Sequence, residues 1–155
     1  MLDLIEELRE LVDALDRAGV EFAVCGGLAV AIHARPRATL DVDLLLPPAS
    51  LPRAKAVVGG LGYRIDAGTM TLGDGSVEMH RLSKPDPASG DLLSLDLLVV
   101  TPALAAAWET RERIRWEHGS LPVVSRAGLI AMKRLRGSGQ DQDDIRALEA
   151  DDAEG

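Results

Sequence analysis

The sequence predicts an α+β fold, with a mixed β-sheet and helices packed mainly on one face. Three observations lead there. Short apolar runs at 22–25, 40–46 and 92–100 have the length and pattern of strands. Stretches with apolar residues every three or four positions stand between them and read as helices. Turn-forming glycines and prolines separate the remaining strand-like segments as hairpins rather than as a strict strand–helix repeat. The chain has 155 residues, no internal repeat and no linker, which suits one domain over 1–150. Residues 151–155 read as a polar tail, expected to be disordered.

The elements follow in order. Leu2, Ile5, Leu8, Val12 and Leu15 recur at helical spacing, and Gly19 is a natural stop. A strand at 22–25 runs into Gly26-Gly27, and the Ala-rich segment 28–33 reads as a short helix ended by Pro36. In 40–46, Val42 and Leu44 alternate with Asp41 and Asp43, so this strand has one apolar face; Pro47-Pro48 closes it. Ser50 is placed to cap a helix through Val58, and Gly59-Gly60 ends it. Segments 63–65, 70–72 and 77–82, with Gly73-Asp74-Gly75 between the last two, predict a hairpin or meander.

Strand 92–100 carries a single charge, Asp96. Thr101-Pro102 opens a helix to about 110, and 114–116 with 121–124 flank His118-Gly119-Ser120 as a second hairpin. Ser125 caps a helix over 127–135, Gly137-Ser138-Gly139 breaks it, and 140–148 forms the last helix.

Composition narrows the function. Lys plus Arg is 17 against 25 Asp plus Glu, a net charge of −8. Such a chain is a poor general binder of nucleic acid, and no sequence-specific DNA binding is expected. Cys25 is the only cysteine, so an internal disulfide and a Cys-rich zinc site are excluded. The opening lacks a basic segment of signal-peptide type, and no apolar run reaches the ~18 residues of a membrane span. A cytoplasmic, soluble domain without membrane contact is the expectation. There is no Gly-x-x-x-x-Gly-Lys-Ser/Thr motif and no nucleophile elbow, and the three histidines are scattered.

The informative stretch is GGLAVAIHARPRATLDVDLLL. Asp41 and Asp43 lie two apart on a strand, so they share a face at about 6.6 Å. With the charges near about 7 Å and an effective dielectric of about 20, they repel by about 2.4 kcal/mol, which a cation in a cleft would relieve. Magnesium suits one or two carboxylates plus phosphate oxygens. Taken alone, the pair also reads as a solvated strand face. Gly26 and Gly27 stand at a strand-to-helix junction, where open backbone amides bind phosphate. Asp96 is costly to desolvate within an apolar strand unless paired. It can supply the third carboxylate of a metal centre, or be a salt bridge to an arginine. Arg35, Arg37 and Thr39 precede the aspartates and are placed to contact phosphate or to fix the strand.

Lys133 sits mid-helix among Leu129, Ile130, Met132 and Leu135. By itself it reads as a snorkelling surface lysine. Asp141 and Asp144 share one face of the last helix and by themselves read as a solvated helix N-terminus.

In this order, a glycine pair, Arg/Thr, Asp-x-Asp, an isolated strand Asp and a late Lys with Asp, the chain resembles the nucleotidyltransferase superfamily of DNA polymerase beta type. GGLAVAIHARPRATLDVDLLL is similar to the minimal, abortive-infection toxin-like branch, and LIAMKRLRGSGQDQDDIRAL keeps its spacing from Lys133 to Asp141 and Asp144. The likeness spans about 20–148 and implies a nucleotidyltransferase-like fold. It implies Asp41, Asp43 and Asp96 as catalytic and metal-binding residues, with two magnesium ions. Gly26, Gly27, Arg37, Thr39, Lys133 and Asp144 become nucleotide-binding residues. The implied reaction moves a nucleoside monophosphate from an NTP to a hydroxyl of RNA (tRNA) or protein, in a toxin–antitoxin or phage-defence setting with a cognate partner protein.

The chain departs from the wider pattern at three positions. Gly26-Gly27 replaces Gly-Ser, Ser138 stands where an arginine is usual, and Gln140 replaces a basic residue. Gly-Gly is usual in the named branch; the missing basic residues at Ser138 and Gln140 motivate a second reading, a catalytically weak nucleotidyltransferase-like binding module acting through a protein partner, with helix 2–15 as either a contact surface or core.

Overall fold

The computed structural model describes residues 4–34, 41–136 and 139–154, without the side chains of 136, 139–141 and 151–154. Arg35, Arg37, Thr39 and the Asp141 side chain therefore lie outside the description.

The chain opens with α1 (Leu4–Arg17), which buries Leu8, Leu11, Val12 and Leu15 along one stripe. That stripe is core, as helical spacing predicts. Gly19 takes φ +71 and the Val20 N–H returns to the Leu15 carbonyl, ending the helix. The buried strand β1 (Ala23–Cys25) runs directly into α2 (Gly26–His33). Helix α2 thus begins at the glycine pair itself, two residues earlier than its apolar content suggests.

Next comes β2 (Asp41–Leu46), then α3 (Leu51–Gly59) after a 3₁₀ turn at Pro48–Ser50. Ser50 makes no side-chain cap bond; the 3₁₀ turn starts the helix instead. The hairpin pairs β3 (Ile65–Leu72) with β4 (Val77–Pro85) through a turn in which Gly73, Asp74 and Gly75 all have positive φ. Strand β3 is continuous, where the sequence suggests two fragments. Almost all its residues are exposed, so burial imposes no alternation to read, and a bulge between Asp66 and Gly68 breaks the pattern further.

Strand β5 (Leu92–Val99) is followed by α4 (Ala105–Glu109), β6 (Glu112–Trp116) and β7 (Gly119–Val123). Helix α5 (Arg126–Arg136) is capped by Ser125, whose Oγ accepts the Gly128 N–H at 3.1 Å. Helix α6 (Gly139–Glu154) continues into the stretch read from sequence as tail.

The sheet has seven strands in the order β3-β4-β5-β2-β1-β7-β6. The pairs β2/β5 and β1/β7 are parallel, and the other four are antiparallel. Both faces of the centre are covered: Val42, Leu44, Leu45 and Leu46 are all 0% exposed. Helices α2, α4, α5 and α6 contact one another, and α1 contacts α3. The first group covers the face that carries Asp43. This is the mixed α+β sheet the sequence predicts.

Candidate active site at the carboxylate face

Strand register brings the acids together. In the parallel pair, Asp43 lies opposite Asp96 and Asp41 opposite Ser94. Paired residues point to the same face, so three carboxylates from two strands converge. The antiparallel pair β4/β5 sets Arg81 opposite Asp96. Its guanidinium grips that carboxylate with both prongs: Nε donates to Oδ1 at 2.8 Å and Nη2 to Oδ2 at 3.0 Å. Nη2 also lies 3.9 Å from Asp41 Oδ2. The salt-bridge reading of Asp96 is thus realised within the same cluster that brings it beside Asp41 and Asp43.

Exposure differs among the acids. The Asp96 side chain is 4% exposed and that of Asp41 44%. Burial, and then the Asp96 charge, push the Asp41 carboxyl above its ordinary value, against the pull of Arg81. The Arg81 guanidinium is held protonated, chiefly by its hydrogen bonds to Asp96. The face is therefore an electrostatically tense site that disfavours further negative charge until a cation arrives.

Gly26 forms the floor. It follows Cys25, which pairs with Asp43, and has φ +66. A Cβ at Gly26 would fall 1.8 Å from Asp43 Oδ2. Only glycine satisfies both the left-handed backbone and the close approach of the carboxylate. Gly27 is buried in the first turn of α2. The other end of α2 is anchored: His33 Nε2 lies 2.9 Å from the Val124 carbonyl, and Arg126 donates to the His33 carbonyl at 2.7 Å.

Lys133 reaches this floor from α5. With Cys25, Gly26, Asp43, Val77, Leu98, Leu129 and Met132 it lines a cleft of about 10 Å³. Lys133 is 4% exposed, so it is not a snorkelling surface lysine; its Nζ lies 3.0 Å from Oδ2 of Asp144, which is 0% exposed. Asp144 lies behind the lysine and not on a solvated helix end. A larger depression of about 560 Å³ opens elsewhere, among Asp16, Glu21, Glu109, Arg111, Glu112 and Arg113. It contains none of the candidate residues.

The structure thus gathers Gly26, Asp41, Asp43, Asp96 and Lys133, with Gly27 and Asp144 directly behind. Arg81 is the participant that sequence reading misses. An arginine in a half-exposed strand carries no local signal; only the register across β4 and β5 reveals it.

A divalent ion can be tested against these donors. Asp41 and Asp43 offer hard oxygens on one strand face, suited to magnesium completed by phosphate oxygens and water. Among the described residues, no group of three carboxylate, imidazole or thiolate side chains is gathered to hold an ion. The donors fit one ion at Asp41 and Asp43, while Asp96 is committed to Arg81.

No protein-family model matches the chain, and no curated protein matches its sequence. Solved structures do match. The lincosamide antibiotic adenylyltransferase LnuA, lincomycin-bound, has a TM-score of 0.62 at 16% identity, covering 93% of this chain and 95% of its own. ANT(2″)-Ia, in complex with adenylyl-2″-tobramycin, has a TM-score of 0.65 at 13% identity, over 97% of this chain and 89% of its own. The Thermotoga maritima protein TM1012 has a TM-score of 0.65 at 12% identity, over 92% and 89%. The likeness is one of architecture along nearly the whole chain: the protein has the nucleotidyltransferase fold.

Proposed function

We propose that the protein is a magnesium-dependent nucleotidyltransferase that moves a nucleoside monophosphate from an NTP to an acceptor hydroxyl. The observation that carries this reading is Asp43 abreast of Asp96, with Gly26 pressed against the Asp43 carboxylate at the start of α2.

Asp41 and Asp43 would hold the ion, which when bound neutralises charge on the transferring phosphate and on the leaving pyrophosphate. The cleft behind Asp43 has about 10 Å³ of free space, so the triphosphate lies across its mouth. There the Gly26 and Gly27 end of α2 favours anions. Lys133 supplies positive charge from α5, and Asp144 holds Lys133 in place. Asp96 adds the third charge. The role that the family resemblance gives it, drawing the proton from the acceptor, requires its bond to Arg81 to loosen.

The acceptor follows from charge. A chain of net charge −8 repels a polyanion such as tRNA and attracts cationic acceptors. A protein hydroxyl or a small cationic molecule is favoured, and among the structural relatives ANT(2″)-Ia was solved with an adenylylated tobramycin. A toxin–antitoxin or phage-defence setting with a cognate partner protein is consistent with a protein acceptor.

Labelled NTPs with magnesium, offered tRNA, protein extract, lincomycin and tobramycin in parallel, test the proposal. Transfer by the wild type above that by Asp43→Asn supports it; equal transfer by both sinks it. The bidentate Arg81–Asp96 bond favours one alternative, a binding module without turnover. Calorimetry separates the two: magnesium-dependent NTP binding belongs to the enzyme, and none to the module.

A further inference from the structure

This inference rests on the nucleotidyl-transfer reading and concerns the cations of that site. We propose that Arg81 takes the place of a second divalent ion, so that the centre uses one ion at Asp41 and Asp43 together with a fixed guanidinium.

The geometry is that of a bridging cation. One guanidinium binds both oxygens of Asp96, at 2.8 and 3.0 Å, and reaches Asp41 Oδ2 at 3.9 Å. It links carboxylates from β5 and β2, the same two strands an ion between them would link. A planar fork matched to a carboxylate is the strongest arrangement such a pair has. Arg81 is fixed by strand register opposite Asp96, not carried on a loop.

Access and charge agree. The Asp96 side chain is 4% exposed against 36% for Arg81, so the carboxylate sits behind the arginine. A second divalent ion approaching Asp96 meets a positive charge first.

The test counts ions. Manganese(II) replaces magnesium, and its binding is followed by electron paramagnetic resonance, alone and with a non-hydrolysable ATP analogue. The wild type should bind one manganese per chain in both conditions, and Arg81→Gln should bind two. Two ions on the wild type, none on the wild type, or one on a folded Arg81→Gln would each overturn the proposal. The double variant Arg81→Gln with Asp96→Asn guards against a misfolded single variant, because it removes both charges together. It should keep one ion with affinity within about threefold of wild type, whereas a loss of about tenfold or more would put Asp96 on the ion and overturn the proposal. Binding of the ATP analogue is read separately. Its absence counts against nucleotidyl transfer, while the ion count still decides the role of Arg81.

Discussion

Gly26 and Asp43 are in such close contact that a single methyl group on the glycine would overlap the carboxylate, at 1.8 Å from Oδ2. The glycine also has φ +66. Gly26→Ala should therefore fail in two ways. The left-handed backbone costs about 1–2 kcal/mol with a β-carbon, which thermal unfolding measures. The displaced Asp43 should cut nucleotide transfer by about 100-fold or more, since misplacement of about 1 Å is enough for that. A Gly26→Ala variant with unchanged transfer would show that the contact has no part in the chemistry.

Asp41 should destabilise the fold it serves. Its carboxyl is raised above 3.8, first by burial and then by Asp96. A raised acid favours its protonated form in the folded state, so ionising it subtracts stability. That loss is absent below the ordinary carboxylate value and sets in as pH rises through the folded one. Asp41→Asn should melt no lower than wild type at neutral pH, and the two should converge in acid. Magnesium binding should be weakened at every pH. A clear drop in melting temperature for Asp41→Asn at pH 7 would contradict the repulsion.

Lys133 and Asp144 form a pair in which both members are almost fully buried. Removing one member takes away the buried counter-charge of the other, at about 3–5 kcal/mol. Lys133→Met and Asp144→Leu should each be strongly destabilised, and the double variant should recover most of that loss. Denaturant titration of all three, analysed as a double-mutant cycle, reads the coupling. The double variant should still bind NTP more weakly than wild type, because the positive charge beside Asp43 is gone.

Tyr63 supplies a control remote from the site. Its hydroxyl donates to Glu7 Oε2 at 2.9 Å, and Lys84 Nζ meets both Glu7 oxygens at 2.8 Å. Burial and the Glu7 charge push the phenol well above its ordinary value, so it stays protonated. Tyr63→Phe should lose about 1.5–3 kcal/mol, as for hydrogen bonds to charged groups. It should leave nucleotide transfer unchanged, and a matching loss of transfer would tie this cluster to the site.

Much of the site is readable in the sequence because strand alternation is local. Asp41 and Asp43 share a face by parity, and Asp96 stands out as a charge in an apolar run. Their meeting depends on β2 pairing parallel with β5, which residues 41–46 alone do not dictate. Arg81 is hidden for the same reason, since its partner is set by a register fifteen residues away. Asp144 misleads in the opposite direction: an acid near a helix start reads as solvated, whereas here it is buried against Lys133. Strand β3 escapes because an exposed edge imposes no pattern on its side chains.

The neighbours β2 and β5 are separated in the chain by α3 and a full hairpin. Parallel strands cannot be joined by a tight turn, and such distant pairing comes late in folding. Asp41 and Asp43 therefore wait for Asp96 to be synthesised. A nascent chain that has not yet reached β5 has no assembled carboxylate cluster.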